Sequence, residues 1–138
     1  AGAFNMTPSL ALDGVTCTFI ARDQPDARYT AVADTTLQVA TGEFVSVVGP
    51  TGCGKSTLLN VAAGLLEPSS GSVKVLGEPL AGINSRAGYM FQADALMPWR
   101  DALRNVIAGL EFRGMAPEEA RGRGNEWLKR VGLGGFGE

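Results

Sequence analysis

A chain of 138 residues, 45% hydrophobic and 19% charged, can bury a core without a disulfide or metal staple and is too apolar for a disordered tail. Its net charge of −2, with no clustered basic run, gives no electrostatic support to sequence-independent nucleic-acid binding. No apolar run reaches the roughly 18 to 20 residues of a membrane-crossing helix, and residues 1–5 lack the charged-then-apolar pattern of a signal peptide. The cysteines, Cys17 and Cys53, stand without metal-ligand spacing and are expected as free thiols.

Residues 1–8 read as an N-terminal tail or a cloning remnant, with Met6 as a natural start. Leu10–Ile20, with Val15, Thr16, Thr18, Phe19 and Ile20, has strand composition. The polar Arg22–Arg28 predicts a loop, Thr35–Val39 a second strand, and Ala40-Thr41-Gly42-Glu43 a turn. The unbroken apolar run Phe44-Val45-Ser46-Val47-Val48 suits a strand covered on both faces. Lys55–Leu66 predicts a buried helix, ended by Pro68 and Ser69-Ser70-Gly71. Ser72–Leu76 alternates as a half-exposed antiparallel strand, and Gly88–Phe91 is a third core-strand candidate.

Beyond Asp101, a good N-cap, Leu103, Val106, Ile107 and Leu110 recur at helical spacing. A further helix begins at Pro117, with Glu118 and Glu119 at its positive end and Lys129-Arg130 before Gly132 as a stop. Ala120, Trp127, Leu128 and Val131 form its expected apolar face, and Gly122 and Gly124 each cost it about 1 kcal/mol relative to Ala.

Gly49-Pro50-Thr51-Gly52-Cys53-Gly54-Lys55-Ser56-Thr57 fits G-x-x-x-x-G-K-[ST] between an apolar strand and a helix. A polyphosphate needs several N–H donors converging on it, and a glycine-rich loop lets the backbone approach without Cβ clashes. A helix starting near Lys55 aims its unpaired N–H groups at the same place. Lys55 adds a point charge for the outer phosphates, and the Ser56 hydroxyl is a hard oxygen suited to Mg²⁺. The Cys53 thiol is given no part; only its backbone N–H is.

These residues, from Val47 to Leu59, resemble the Walker A region of ATP-binding cassette (ABC) transporter ATPases. Ala63–Gly71 resembles the stretch that follows it there, and Tyr89-Met90-Phe91-Gln92 the entry to the Q-loop. Asp94-Ala95-Leu96-Met97-Pro98-Trp99-Arg100, then Asn105-Val106, is similar to importer ATPases for nitrate, sulfonates and taurine.

The resemblance implies an α/β fold: a partial P-loop NTPase (RecA-like) core with an N-terminal antiparallel β-subdomain and the start of a helical subdomain. Residues 9–95 would form the nucleotide-binding part, and 96–138 the Q-loop exit and the first part of the helical subdomain. It implies ATP and Mg²⁺ as cofactors, Lys55 and Gln92 as catalytic residues, Ser56 and Gln92 as metal ligands, and the whole loop from Gly49 to Thr57 as nucleotide contacts. An aromatic ring stacks on adenine in the family, a place open to Phe19 or Tyr29. Implied partners are a transmembrane permease, near which Pro98 and Trp99 would lie, a solute-binding protein and a second ATPase subunit. The implied location is cytoplasmic, on the inner face of the bacterial plasma membrane.

The family's Walker B strand with its Asp-Glu, its LSGGQ-like signature and its switch histidine have no counterpart in these 138 residues, which hold no histidine. The expectation is therefore a fragment that binds Mg-ATP with negligible turnover, and whose unpaired apolar edges promote self-association. Two other readings stay open: a small P-loop kinase with Arg121, Arg123 and Arg130 as its lid, and a regulatory module that binds nucleotide without hydrolysing it.

Overall fold

The computed structural model describes residues 7–21 and 23–137, so the expected tail through Met6 lies outside it. The chain divides into two compact units, Ala1–Tyr89 and Met90–Glu138. In the first, β1 (Leu10–Ala21), β2 (Gln24–Val39), β3 (Ser70–Val75) and β4 (Glu78–Pro79) make one antiparallel sheet in the order β2-β1-β3-β4. Helix α1 (Lys55–Ala62) lies between β2 and β3 in the chain. The second unit is a pair of helices, α2 (Ala102–Phe112) and α3 (Pro117–Arg130).

The pleat of β1 explains where the core sits. Side chains of a strand alternate between faces, yet the buried residues are Leu12, Val15 and Cys17, an alternation that slips by one. The slip is a β-bulge at Asp13-Gly14, where the register with β2 and β3 breaks and Gly14 takes φ 57. Two hydroxyls fill in for the interrupted ladder: Gly14 N–H donates to Thr36 Oγ1 at 3.0 Å, and Asp34 N–H to Thr16 Oγ1 at 3.0 Å. The core closes when Leu58 and Val61 of α1 join these residues with Val32 and Val73. Burial in this cluster pushes the Cys17 thiol up from its ordinary value, and both cysteines are free.

The β1–β2 hairpin corrects the loop expected at Arg22–Arg28. Pairing continues through Thr18↔Thr30, Phe19↔Tyr29 and Ile20↔Arg28 to Ala21↔Gln24. The Thr18 and Thr30 hydroxyls meet at 3.0 Å, and the Phe19 and Tyr29 rings stack with centroids 5.5 Å apart. Such cross-strand pairs outweigh the local polarity of the segment. Pro25 is admitted because β2 is an edge of the sheet.

Helix α1 is shorter than the sequence pattern suggests, and the Pro68 region does not end it. Gly64, at φ 71, places its N–H on Val61 O (3.0 Å), while Leu65 N–H reaches Asn60 O at 2.9 Å. This is a Schellman stop. The same device closes α2 at Gly114 and α3 at Gly132, where Met115 N–H meets Leu110 O and Leu133 N–H meets Leu128 O. Leu59, expected inside, is exposed.

Two further expectations fail. Phe44–Val48 pairs with no other described residue, and Phe44 and Val48 are 94% and 85% exposed. An all-apolar strand needs neighbours on both sides, and none of β1 to β4 pairs with this segment. Gly88–Phe91 also takes no part in a strand; Tyr89 instead donates its hydroxyl to Asn60 Oδ1 at 2.7 Å.

In the second unit Asp101 caps α2 as expected, its Oδ1 accepting from Arg104 N–H at 2.7 Å. Leu103 and Ile107 pack with Ala120 and Leu128, against which Leu110 and Met115 lie. The buried face of α3 is Ala120, Gly124 and Leu128; Trp127 and Val131, expected there, are exposed. Gly124 shifts the face, because a Cβ there would run into Ile107 Cγ2 and Leu103 Cδ1, so the missing side chain is what lets the helices meet.

Gly122 faces open space. Gly122→Ala is accordingly expected to stabilise the unit by up to about 1 kcal/mol, and Gly124→Ala to destabilise it by about 1–3 kcal/mol through overpacking. Urea unfolding followed by tryptophan emission checks this, since both tryptophans, Trp99 and Trp127, lie in this unit. Equal shifts of the same sign would refute the packing argument.

Candidate functional site

The site is the turn joining the Phe44–Val48 segment to α1. Gly52 and Gly54 take φ 81 and 93, the left-handed region that an L side chain enters only under strain. Gly54 is the N-cap of α1, and no side chain caps that end. The helix therefore presents its leading N–H groups and the positive end of its dipole. A Cβ on Gly49 would meet Cys53 Sγ at 2.8 Å, so the missing side chain at 49 leaves room for the thiol within the loop.

Lys55 folds back over this loop. Its Nζ donates to Gly49 O at 2.8 Å, to Pro50 O at 2.6 Å and to Cys53 Sγ at 3.6 Å. The ammonium is thus fixed between the loop carbonyls, half-buried, with Thr51 and Gly52 exposed around it. Cys53 N–H closes the turn onto Pro50 O at 3.4 Å. The Ser56 side chain is exposed on the first turn of α1, and Thr57 is half-buried.

Sequence reasoning missed what holds the loop in place. Gly54 lies so close to β2 that an added Cβ would collide with the Ala31 carbonyl and touch Val32 Cγ2 at 3.0 Å. The loop is docked on the hairpin through the one residue type with no side chain. Phe19 packs against the core cluster that α1 completes, and its cross-strand partner Tyr29 shares that face of the sheet. The two candidates for the aromatic place are therefore one stacked pair, with Tyr29 the more open at 55% exposure.

Gln92 belongs to the second unit and is exposed, as are Leu96 and Trp99. The 97–101 segment there is stapled to α2 by Asn105. Its Nδ2 donates to the carbonyls of Met97, Arg100 and Asp101 at 3.2, 2.9 and 2.9 Å, and its Oδ1 accepts from Met97 N–H at 2.8 Å. An asparagine inside a helix, where it is a poor former, was the available signal. Of the arginines considered for a kinase lid, Arg123 pairs with Glu119 at 2.8 Å and Arg130 with Glu126 at 2.6 Å.

The donor set fits a magnesium-bound polyphosphate: left-handed glycines, an uncapped helix start, a positioned ammonium and one hydroxyl. No group of acidic, thiol or imidazole side chains able to hold a metal by itself occurs among the described residues. No helix among them is long and apolar enough to cross a membrane.

An antiparallel subdomain carrying a glycine-loop-to-helix turn defines a partial α/β P-loop NTPase. Residues 32–138 match the family model of the ABC transporter, and the chain belongs to that family of ATP-binding proteins. The taurine import ATP-binding protein TauB of Yersinia pestis bv. Antiqua is 45% identical over 106 residues, 77% of this chain and 42% of its own. TauB of Pseudomonas aeruginosa is 42% identical over 129 residues, 94% of this chain and 48% of its own.

Among solved structures, the dimeric ATP-binding cassette MJ0796 bound to ADP and Pi is 32% identical with a TM-score of 0.80, covering 93% of this chain and 60% of that one. The chain thus spans under half the length of these curated relatives. Membership of this family displaces the kinase reading.

Proposed function

We propose that this chain is the nucleotide-binding part of the ATP-binding subunit of a bacterial ABC importer, coupling ATP binding and hydrolysis to uptake of a small solute, with taurine or a related sulfonate or nitrate as the class. The observation that carries the reading is the Lys55 ammonium held between Gly49 O and Pro50 O at the uncapped start of α1. The identity to taurine import proteins supports the solute class.

In this reading the backbone N–H groups of Gly52 to Thr57 bind the phosphates, and Lys55 exchanges its loop carbonyls for phosphate oxygens. Ser56 offers its hydroxyl to Mg²⁺. Gln92 offers a neutral carbonyl to the metal and an amide to water, and one ring of the Phe19–Tyr29 pair stacks on adenine. Bound Mg-ATP supplies the transferable phosphoryl group. The partners are a permease, a solute-binding protein and a second ATPase subunit, at the inner face of the plasma membrane; the dimeric cassette structures support the last pairing.

Residues 1–138 are expected to bind Mg-ATP yet turn it over negligibly, because phosphoryl transfer needs an oriented water as well as bound phosphates. Calorimetric titration with Mg-ATP alongside a steady-state phosphate-release assay checks both halves. No heat of binding removes the reading; turnover at the rate of an intact transporter removes the claim that the P-loop alone is insufficient.

A further inference from the structure

The sheet of the first unit has a second face, turned away from the core. Leu12 of β1 and Val73 of β3 point inward, so Ala11, Asp13, Ser72 and Lys74 beside them point the other way. With Thr36 and Gln38 of β2 they border a hollow of about 420 Å³ that no P-loop residue reaches. The strand register sets its plan. Ala11 lies opposite Gln38 on one side and Lys74 on the other, and Asp13 lies opposite Ser72. Two short side chains, Ala11 and Ser72, therefore make the floor, and the longer Asp13, Gln38 and Lys74 stand around it.

Opposite charges on an exposed sheet face are ordinary, but here the two are held apart. Asp13 and Lys74 are diagonal neighbours on adjacent strands, roughly 7–8 Å apart at Cα, with Ala11 and Ser72 at the other two corners. Neither forms an ion pair with any described residue. The Thr36 oxygen accepts from Gly14 N–H at 3.0 Å and keeps its own proton to donate. The hollow thus offers a carboxylate, an ammonium, the Gln38 amide and the hydroxyls of Thr36 and Ser72. A simple anion meets the repulsion of Asp13, and a simple cation that of Lys74. A molecule carrying both charges, spaced to span the gap, satisfies each.

We infer that this hollow binds a small zwitterion whose ammonium and acid groups are two carbons apart, the ammonium at Asp13 and the acid group at Lys74 and Gln38. Amino sulfonates and β-amino acids have this chemistry. The choice of an amino sulfonate as first probe rests on the importer reading; the site itself depends only on Asp13, Lys74 and the short side chains between them. Bound there, the molecule bridges β1 and β3, a signature that nucleotide at the P-loop does not share.

Calorimetric titration of the full chain with taurine tests this, alongside two probes that each lack one charge: isethionate, without the ammonium, and ethylamine, without the acid. β-Alanine keeps both charges and exchanges sulfonate for carboxylate. Taurine and β-alanine are expected to bind with a Kd of about 1 mM, the strength open to so small a ligand. Each single-charge probe should bind about tenfold more weakly, having lost one charge-assisted hydrogen bond. Asp13→Asn should abolish the preference for taurine over isethionate, and Lys74→Gln the preference over ethylamine. Both side chains are exposed, so neither substitution disturbs the core. Amide exchange of residues 10–13 and 72–75 should slow about tenfold at ten times the Kd of taurine. Equal affinity for all four probes, no binding of either zwitterion at tens of millimolar, or undiminished taurine binding in both variants would each overturn the inference. Mg-ATP titration of the same samples, expected to be unchanged by either substitution, keeps a failure here distinct from a failure of the nucleotide site.

Discussion

Lys55→Ala weakens Mg-ATP binding by about one to two orders of magnitude while leaving the fold in place. A charge-assisted hydrogen bond contributes about 1.5–3 kcal/mol, and each 1.4 kcal/mol is about tenfold in affinity. The fold survives because the Lys55 ammonium bonds only within the exposed loop, to the Gly49 and Pro50 carbonyls and the Cys53 thiol, which water can satisfy once it is gone. Those same bonds admit a second explanation, that lysine acts by clasping the loop. Lys55→Met keeps the length of the side chain while losing charge and clasp together, so the separation comes from its salt dependence and from Lys55→Arg, which keeps charge with the wrong geometry for a point contact. If charge is what matters, the gap between parent and Lys55→Met narrows as salt rises. Calorimetry over a salt series reads this directly, and affinities within about twofold for parent and Lys55→Ala would refute the assigned role.

What the sequence disclosed, and what it hid, follows from where the determining interactions lie. The P-loop was legible because its requirements are local: glycines at positive φ, a lysine and a hydroxyl at fixed spacing. The three helix stops were half legible. Gly132 follows the basic pair Lys129-Arg130 and is marked by it, whereas Gly64 lies just ahead of Pro68, the stronger local breaker, and Gly114 has no basic pair before it. The hairpin beyond Ala21 was hidden because its support is the cross-strand pairing of Thr18 with Thr30 and Phe19 with Tyr29, which no local polarity pattern reports. The α3 face was misjudged for the same reason: a glycine at 124 has meaning only once Ile107 and Leu103 stand opposite it. In Phe44–Val48 the apolar run does call for burial, but its cover is not among the described residues. Gln92 was found by resemblance to a family, and its exposure alone assigns it no role.

Gly54→Ala is expected to destabilise the first unit strongly, through two separable causes. At φ 93 an alanine carries a left-handed penalty of about 1–2 kcal/mol. Its Cβ would also be driven against the Ala31 carbonyl, which lies at the register shift of β2 between the pairs Cys17↔Val32 and Thr18↔Thr30, so its retreat would pull on both neighbours. Relief of such overpacking costs about 1–3 kcal/mol more, so the sum of about 2–5 kcal/mol is a large part of a typical domain stability of about 5–15 kcal/mol. Gly52→Ala supplies the control. Its φ of 81 carries the same backbone penalty, yet its Cβ meets nothing within 4 Å, so it should lose only about 1–2 kcal/mol. The difference between the two variants isolates the contact between loop and hairpin. Because both tryptophans lie in the other unit, amide hydrogen exchange of β1 and β2 is the appropriate readout. It should quicken far more in Gly54→Ala than in Gly52→Ala, and equal exchange in the two would mean that the loop is not seated on Ala31 at all.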